Sequence, residues 1–295
     1  MFAMARASRS KNSKKYYPVQ RMMALSPSAN NERFFVIAAD MELSKTNHRL
    51  YRQSRVYQLK LDITPDFDPT QTVEVFTIRP TWMNMKAYQF AYKQFVKNSE
   101  EERSQGNDAR WNDFRVKLGT GTASLSPRVL EEMNTTEDIV PSGEYIFTEV
   151  HDASDGQNHF TWVGSTGSGE YNIVQEYDLT ANTDAEPSSP VGTVPYDGLD
   201  DAISDGQKDH LQNHGNLPPY AATSLDRDVF TKVATLQAAG ATAQRLSSGY
   251  FDAPCGFVLV RTSAPVPITS DSPTQFILTA KSGDYKGVHA PSMLE

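Results

Sequence analysis

The chain has 295 residues, 38% of them hydrophobic, and a formal net charge of −8. That is enough apolar material for a sizeable core, in one large all-β domain or two ordinary ones, with loop-rich segments between. A single cysteine, Cys255, excludes a disulfide scaffold and a multi-cysteine zinc site, and fits a reducing compartment without requiring one.

The charge is segregated along the chain. Residues 1–31 hold Arg6, Arg9, Lys11, Lys14, Lys15 and Arg21 and no acid, which leaves 22 basic against 36 acidic side chains and a balance of −14 in the rest. The stretch 149–209 is the acidic extreme, with thirteen Asp and Glu against Lys208 alone. Such segregation speaks of partners rather than of fold. The start, MFAMARASRSKNSKK, has almost nothing to bury, so it should stay mobile when unbound. Its cations suit a phosphate backbone, where binding releases counterions. An Arg- and Ser-rich, acid-free start also fits a transit peptide or a plain solubilising tail. Tyr16 and Tyr17 follow Lys14 and Lys15 directly. Their rings either stack on unpaired bases or dock the arm onto the body.

Strand signals dominate the body. Residues 34–39, FFVIAA, form an apolar run of buried-strand length. Residues 55–64 alternate, with Tyr57, Leu59, Leu61 and Ile63 on one face and Gln58, Lys60 and Asp62 on the other. TVEVFTI at 72–78 is β-branched and aromatic, and Pro80 stops it. A helix is predicted over 82–98, capped by Thr81, with Trp82, Met85, Tyr88, Tyr92, Phe95 and Val96 as its apolar face. Further strands are predicted at 114–118, 145–150, 160–163, 171–177, 256–262 and 275–281, and short helices at 127–133 and 204–213. Segment 228–238 fits both periods. Irregular connections fill 99–110 and 178–228, and the second, about fifty residues, reads as an elaborated outer loop. Neither a βαβ alternation nor an internal repeat is present, so the pattern predicts a mainly antiparallel sandwich or barrel.

No run of apolar residues approaches the roughly 18 that span a bilayer, and no apolar stretch follows the basic start as a secretory signal requires. Chemistry-bearing motifs are few. HDASDGQNH places His151, Asp152, Asp155 and His159 together, the best candidate set for a hard cation such as structural Ca²⁺, although the EF-hand order is absent. A hairpin turn on Asp155-Gly156 accounts for the same residues without a metal. His210 and His214 lack the Glu that a zinc metalloprotease helix needs, and Gly119 and Gly121 complete neither a dinucleotide fingerprint nor a phosphate loop. Cys255, between Pro254 and Gly256, reads as a half-buried structural thiol. No catalytic residue is predicted, and no cofactor.

An arm such as ARASRSKNSKKYYPVQR, followed by the strand series RFFVIAA, RVYQLKLDIT, CGFVLVRTSAPVPI and TQFILTA, resembles the capsid proteins of small icosahedral viruses. The likeness is greatest to those of circular single-stranded DNA viruses that encode their own replication initiator. It lies in layout over the whole chain rather than in any short motif. The resemblance implies an eight-stranded antiparallel jelly-roll sandwich with a few inserted short helices and long loops. Residues 1–22 would be a basic, genome-facing arm and 23–295 one shell domain, with the outer loop at about 178–228. It implies a non-enzymatic, self-assembling subunit found in the virion and in the host cell during assembly. Its partners would be copies of itself, in a shell of about 60 or a multiple, and packaged single-stranded nucleic acid. The nucleic acid would be bound through Arg6, Arg9, Lys11, Lys14, Lys15, Tyr16, Tyr17 and Arg21. A host receptor would be another partner, and a membrane would not.

Arms of that family are more basic than this one. About 60 subunits with six charges each would bring roughly 360 positive charges to a genome of a few thousand phosphates, so the arm alone organises nucleic acid without neutralising it. Two other classes fit the composition: a carbohydrate- or ligand-binding β-sandwich, with Ca²⁺ at 151–159, and a β-barrel metal enzyme using His151 or His210.

Overall fold

A computed structural model describes residues 21–25, 34–64, 72–100, 104, 113–118, 147–151, 157–164, 169–177, 229–237, 245–263 and 275–294. Along them run β1 (Met22–Leu25), β2 (Phe34–Ala38), α1 (Ala39–Thr46), β3 (Val56–Thr64), β4 (Thr72–Ile78), α2 (Trp82–Asn98), β5 (Glu149–His151), β6 (Gln157–Thr161), β7 (Glu170–Asn172), β8 (Phe230–Gln237), β9 (Leu246–Pro254), β10 (Phe257–Thr262), β11 (Gln275–Ala280), β12 (Ser282–Gly283) and β13 (Gly287–Val288). The chain is mainly β, as its composition and patterning predict.

Two open four-stranded sheets, antiparallel throughout, carry most of the strands. One has the order β1-β11-β3-β9, the other β2-β10-β4-β8. Their apolar faces contribute to one buried cluster. Tyr57, Leu59, Leu61 and Ile63 of β3 meet Phe276 and Leu278 of β11 there, along with Val73 and Val75 of β4 and Val258 and Val260 of β10. The alternation in β3 is realised as predicted: all four of its apolar side chains are fully buried. Each is worth about 1.5–3 kcal/mol relative to exposure, which fixes the register, because a one-residue slip would turn them outward.

The chain passes between the sheets at nearly every connection, and one crossing is tight. Ala253, Pro254, Cys255 and Gly256 form a turn closed by the Gly256 N–H on the Ala253 carbonyl at 3.0 Å. Pro254 pre-sets the second position and Cys255 takes φ +57 at the third, the place where turns of this kind prefer glycine. Gly256 follows at φ +74, and a Cβ there would stand 3.0 Å from the Asp40 nitrogen. The Cys255 side chain is fully buried, more deeply than the half-buried thiol expected from sequence.

Residues between β4 and β8 build a second cluster. Tyr88 of α2 stacks on Trp162 at 6.0 Å and meets Phe114 edge-on at 5.3 Å, with Phe160, Ile173, Val229, Phe257 and Met293 around them. The helix spans the predicted residues, and the Thr81 hydroxyl accepts from the Asn84 N–H. Of the expected apolar face, Tyr88 is buried in the cluster and Met85, Tyr92 and Phe95 pack against it, but the most deeply buried positions are shifted. Met83, Ala87, Tyr88 and Ala91 face the cluster, and Trp82 is 63% exposed. Small alanines let the helix approach closely, so the largest side chains are not all on the inner stripe. Strand β7 ends at Asn172, whose side-chain oxygen accepts from the Val174 and Gln175 N–H groups and starts a helical turn over 173–177 in place of the expected strand. Residues 114–118 form no strand: Lys117 makes an isolated bridge with Thr161, and the Arg115 carbonyl accepts from the Thr148 N–H. Within segment 228–238, ambiguous by period, Phe230–Gln237 form β8. The sheet β5-β6-β7 contains one parallel pair, β6 with β7. The expected helices at 127–133 and 204–213 and the loop at 178–228 lie outside the described residues.

On the outward face of β3, the register against β9 shifts between Lys60 and Asp62, and the Leu61 N–H turns to the Ser248 hydroxyl at 2.9 Å. Asp62 is nearly fully buried beside Lys60 (2.9 Å) and Arg245 (2.5 Å). Burial pushes its carboxyl up, but hydrogen bonds from Ser247, Lys60 and Arg245 outweigh that and hold it below the ordinary value. A carboxyl lowered in the folded state stabilises it above the unfolded value of about 3.9 and loses that contribution as the pH falls. Asp62→Asn should therefore be less stable than the parent near neutrality, and the gap between their urea midpoints should narrow from pH 6 to pH 3. A gap that stays constant would contradict this account.

Candidate functional site

A cluster of cations and aromatic rings forms where the 49–55 segment meets the β12–β13 hairpin. The Arg55 guanidinium lies 4.0 Å from the centre of the Tyr285 ring, and the Lys286 ammonium 4.9 Å from the same ring. Arg52 lies 5.2 Å and Arg115 5.8 Å from the ring of Tyr51. The Lys286 ammonium donates to the Arg49 carbonyl at 2.9 Å, which ties hairpin to segment. Contacts between cation and ring face of this kind are each worth about 0.5–1 kcal/mol at exposed sites. Arg49 and Lys286 are exposed; Tyr51, Arg52, Arg55 and Tyr285 are partly so.

Positive charge exceeds negative here. Among the described residues, the one ion pair that Arg49, Arg52, Arg55 and Lys286 make with a carboxylate is that of Arg52 with Asp113, at 3.0 Å. Arg115 approaches the same carboxylate at 4.0 Å. Burial pushes the Asp113 carboxyl up, and Arg52 and Arg115 draw it part of the way back. Burial lowers Lys286, and Arg52, Arg49 and Arg55 lower it further, because a fourth positive charge among three costs energy.

The segment that presents these cations is held rigidly from beneath. The Tyr57 hydroxyl, buried in the shared core, stands 2.8 Å from the Leu50 carbonyl and 2.6 Å from that of Arg52. Gln53 is fully buried. Its amide nitrogen donates to the Val116 carbonyl at 3.0 Å, and its amide oxygen accepts from the Val116 N–H at 2.6 Å. The side chain thus behaves as a strand partner for residue 116. The Gln53 N–H donates to Asp113. On the other side, Lys286 takes φ +51, a left-handed conformation that costs a non-glycine residue about 1–2 kcal/mol.

Arg21 is described and sits at the same place. Its carbonyl accepts from the Ala280 N–H at 2.8 Å, and its guanidinium donates to the Gly287 carbonyl at 3.5 Å, next to Lys286. The other arm candidates, Arg6, Arg9, Lys11, Lys14, Lys15, Tyr16 and Tyr17, lie outside the described residues. So do Asp152 and Asp155, as well as His210, His214, Gly119 and Gly121. His159 lies on β6 opposite Glu149, and His151 on β5 opposite Gln157. Among the described residues, no three His, Cys, Asp or Glu side chains gather as metal ligands would. No helix among them is long and apolar enough to cross a membrane.

The tyrosine–cation cluster is a site that the sequence reading passed over. Its signal was local: RLYRQSR at 49–55 holds three arginines around a tyrosine. The other half, Tyr285-Lys286, is more than two hundred residues away, and only the fold brings it close.

Comparison with protein-family models, with curated proteins and with solved structures finds no match to this chain.

Gln53→Ala removes both side-chain bonds and leaves the buried Val116 groups unsatisfied. We expect a loss of about 1–3 kcal/mol in urea unfolding. A variant as stable as the parent would show that Gln53 does not anchor the segment.

Proposed function

We propose that this chain is the shell subunit of a small icosahedral virus, most like the capsid proteins of circular single-stranded DNA viruses, built on an eight-stranded jelly-roll sandwich. The observation that carries the reading is the strand order. Omitting the small sheets, β1, β2, β3, β4, β8, β9, β10 and β11 are eight strands in chain order. First lies beside eighth, third beside sixth, second beside seventh and fourth beside fifth. A long antiparallel hairpin, folded over and rolled up, produces those four neighbour pairs and distributes them over two sheets, which is the jelly-roll arrangement. The cluster shared by the two sheets supports face-to-face packing. The large insertion then falls at a single corner, between the fourth and fifth strands.

In this reading the subunit is a structural protein without catalytic residues or cofactor. It tiles with copies of itself into a shell of about 60 or a multiple, and it resides in the virion and in the host cell during assembly. The basic arm, with Arg6, Arg9, Lys11, Lys14, Lys15, Tyr16, Tyr17 and Arg21, holds packaged single-stranded nucleic acid by salt-sensitive contacts. The segregation of an acid-free start from an acidic body supports that role.

Light scattering coupled to size exclusion tests assembly. The purified chain should elute as a discrete species tens of times heavier than its 32.8 kDa subunit. Deleting residues 1–20 should lower the nucleic acid retained in that peak. A 32.8 kDa monomer at every salt and pH tried would overturn the proposal.

A further inference from the structure

We propose that the body carries a second surface for single-stranded nucleic acid, formed by Arg49, Arg52, Arg55 and Lys286 with the rings of Tyr51 and Tyr285. The inference deepens the shell reading and rests on it for the ligand's identity as a packaged strand.

Four observations on different elements converge. The first is a local excess of cations, with one carboxylate, Asp113, paired to Arg52. Crowded like charges are costly, and an incoming phosphate relieves that cost. The second is the pairing of rings with cations: Tyr285 against Arg55 and Lys286, Tyr51 against Arg52. Unpaired bases stack on such rings while the neighbouring cations follow the backbone, at about 1–3 kcal/mol per stacked base. A duplex offers no free base faces and a sulfated polysaccharide has none, so the combination favours a single strand.

The third is preorganisation. Tyr57 and Gln53 fix the segment from below, and the Lys286–Arg49 bond fixes the hairpin to it, so little ordering is left to be done on binding. The fourth is position. The arm joins the body at Arg21, whose guanidinium reaches Gly287, the residue after Lys286. A strand held by the arm is thereby delivered to this surface. The added cations also answer part of the charge deficit left by an arm with six.

The test uses the full-length chain and a fluorescein-labelled oligo(dT), with binding followed by anisotropy over a series of salt concentrations. Arg49 and Lys286 are the exposed members and can be changed without disturbing the Arg52–Asp113 pair. R49E/K286E should bind at least about tenfold more weakly near 0.1 M salt, and its plot of log affinity against log salt should be shallower by about 1.4, two single-strand contacts' worth. R49Q/K286Q should show the same loss of slope with a smaller loss of affinity, and it serves as the reading if the charge reversal impairs folding by circular dichroism. A third full-length variant replaces Arg6, Arg9, Lys11, Lys14 and Lys15 with serine.

Parent-like binding by both patch variants, with loss in the serine variant, would overturn this proposal and leave the arm's role intact. Loss in the patch variants with parent-like binding by the serine variant would support the surface and remove the arm's role. If the patch variants lose heparin binding and keep oligo(dT) binding, the surface recognises anionic polysaccharide, and the proposal fails.

Discussion

The apolar cluster shared by the two four-stranded sheets is the constraint from which the rest follows. Each sheet turns an apolar face into it, to which the strands contribute alternate side chains, and the β2-β10-β4-β8 sheet also buries Phe76 and Leu259 on its other face. Because consecutive strands lie mostly in different sheets, the chain crosses between them repeatedly. Some crossings leave no room for a loop. The turn through Cys255 and Gly256 is such a place, where a cysteine accepts a left-handed backbone so that β9 of one sheet can continue as β10 of the other. Its sulfur then lies 3.8 Å from that of Met293, against the second cluster.

That second cluster extends the fold outward. The insertion brings α2, the 113–118 segment and the β5-β6-β7 sheet against one end of the strands, with Tyr88, Trp162 and Phe114 at its centre. The C-terminal residues close it. The His289 and Pro291 carbonyls accept from Gln58 and Val56, Met293 donates to the Ser54 carbonyl, and Gln89 of α2 reaches the Met293 carbonyl. Residues 49–55 are therefore clamped between β3, the insertion and the tail. The cationic surface is a product of that clamp, since arginines on a loose loop would repel one another apart.

Elements whose signal is local were legible in the sequence. β3 announces itself by alternation, β4 by β-branched residues before Pro80, and α2 by its Thr81 cap. Elements that depend on tertiary partners were not. LSSGYFDAP is not among the predicted strands, yet it is strand β9, because Ser248 supplies the acceptor that the bulged ladder lacks and Gly249 sits at φ +71 in open space. β1 is four residues long and exists by pairing with β11, far along the chain. α1 has no side-chain N-cap and buries Asp40, so neither its start nor its inner face is marked. Alternation puts Asp62 on the face opposite Tyr57, Leu59, Leu61 and Ile63; it is on that face, but buried beside Lys60 and Arg245. Half of the candidate site was visible as arginines around Tyr51, and the other half depended on where the last hairpin docks.

In the shell reading we propose, the inner wall carries both the arm and the Tyr285 surface. Cryo-electron microscopy of the assembled protein tests it most directly. We expect closed, uniform particles in which Arg49, Arg52, Arg55 and Lys286 face the lumen, with nucleic-acid density against Tyr285. Solitary molecules, or particles that turn this surface to the outside, would contradict it.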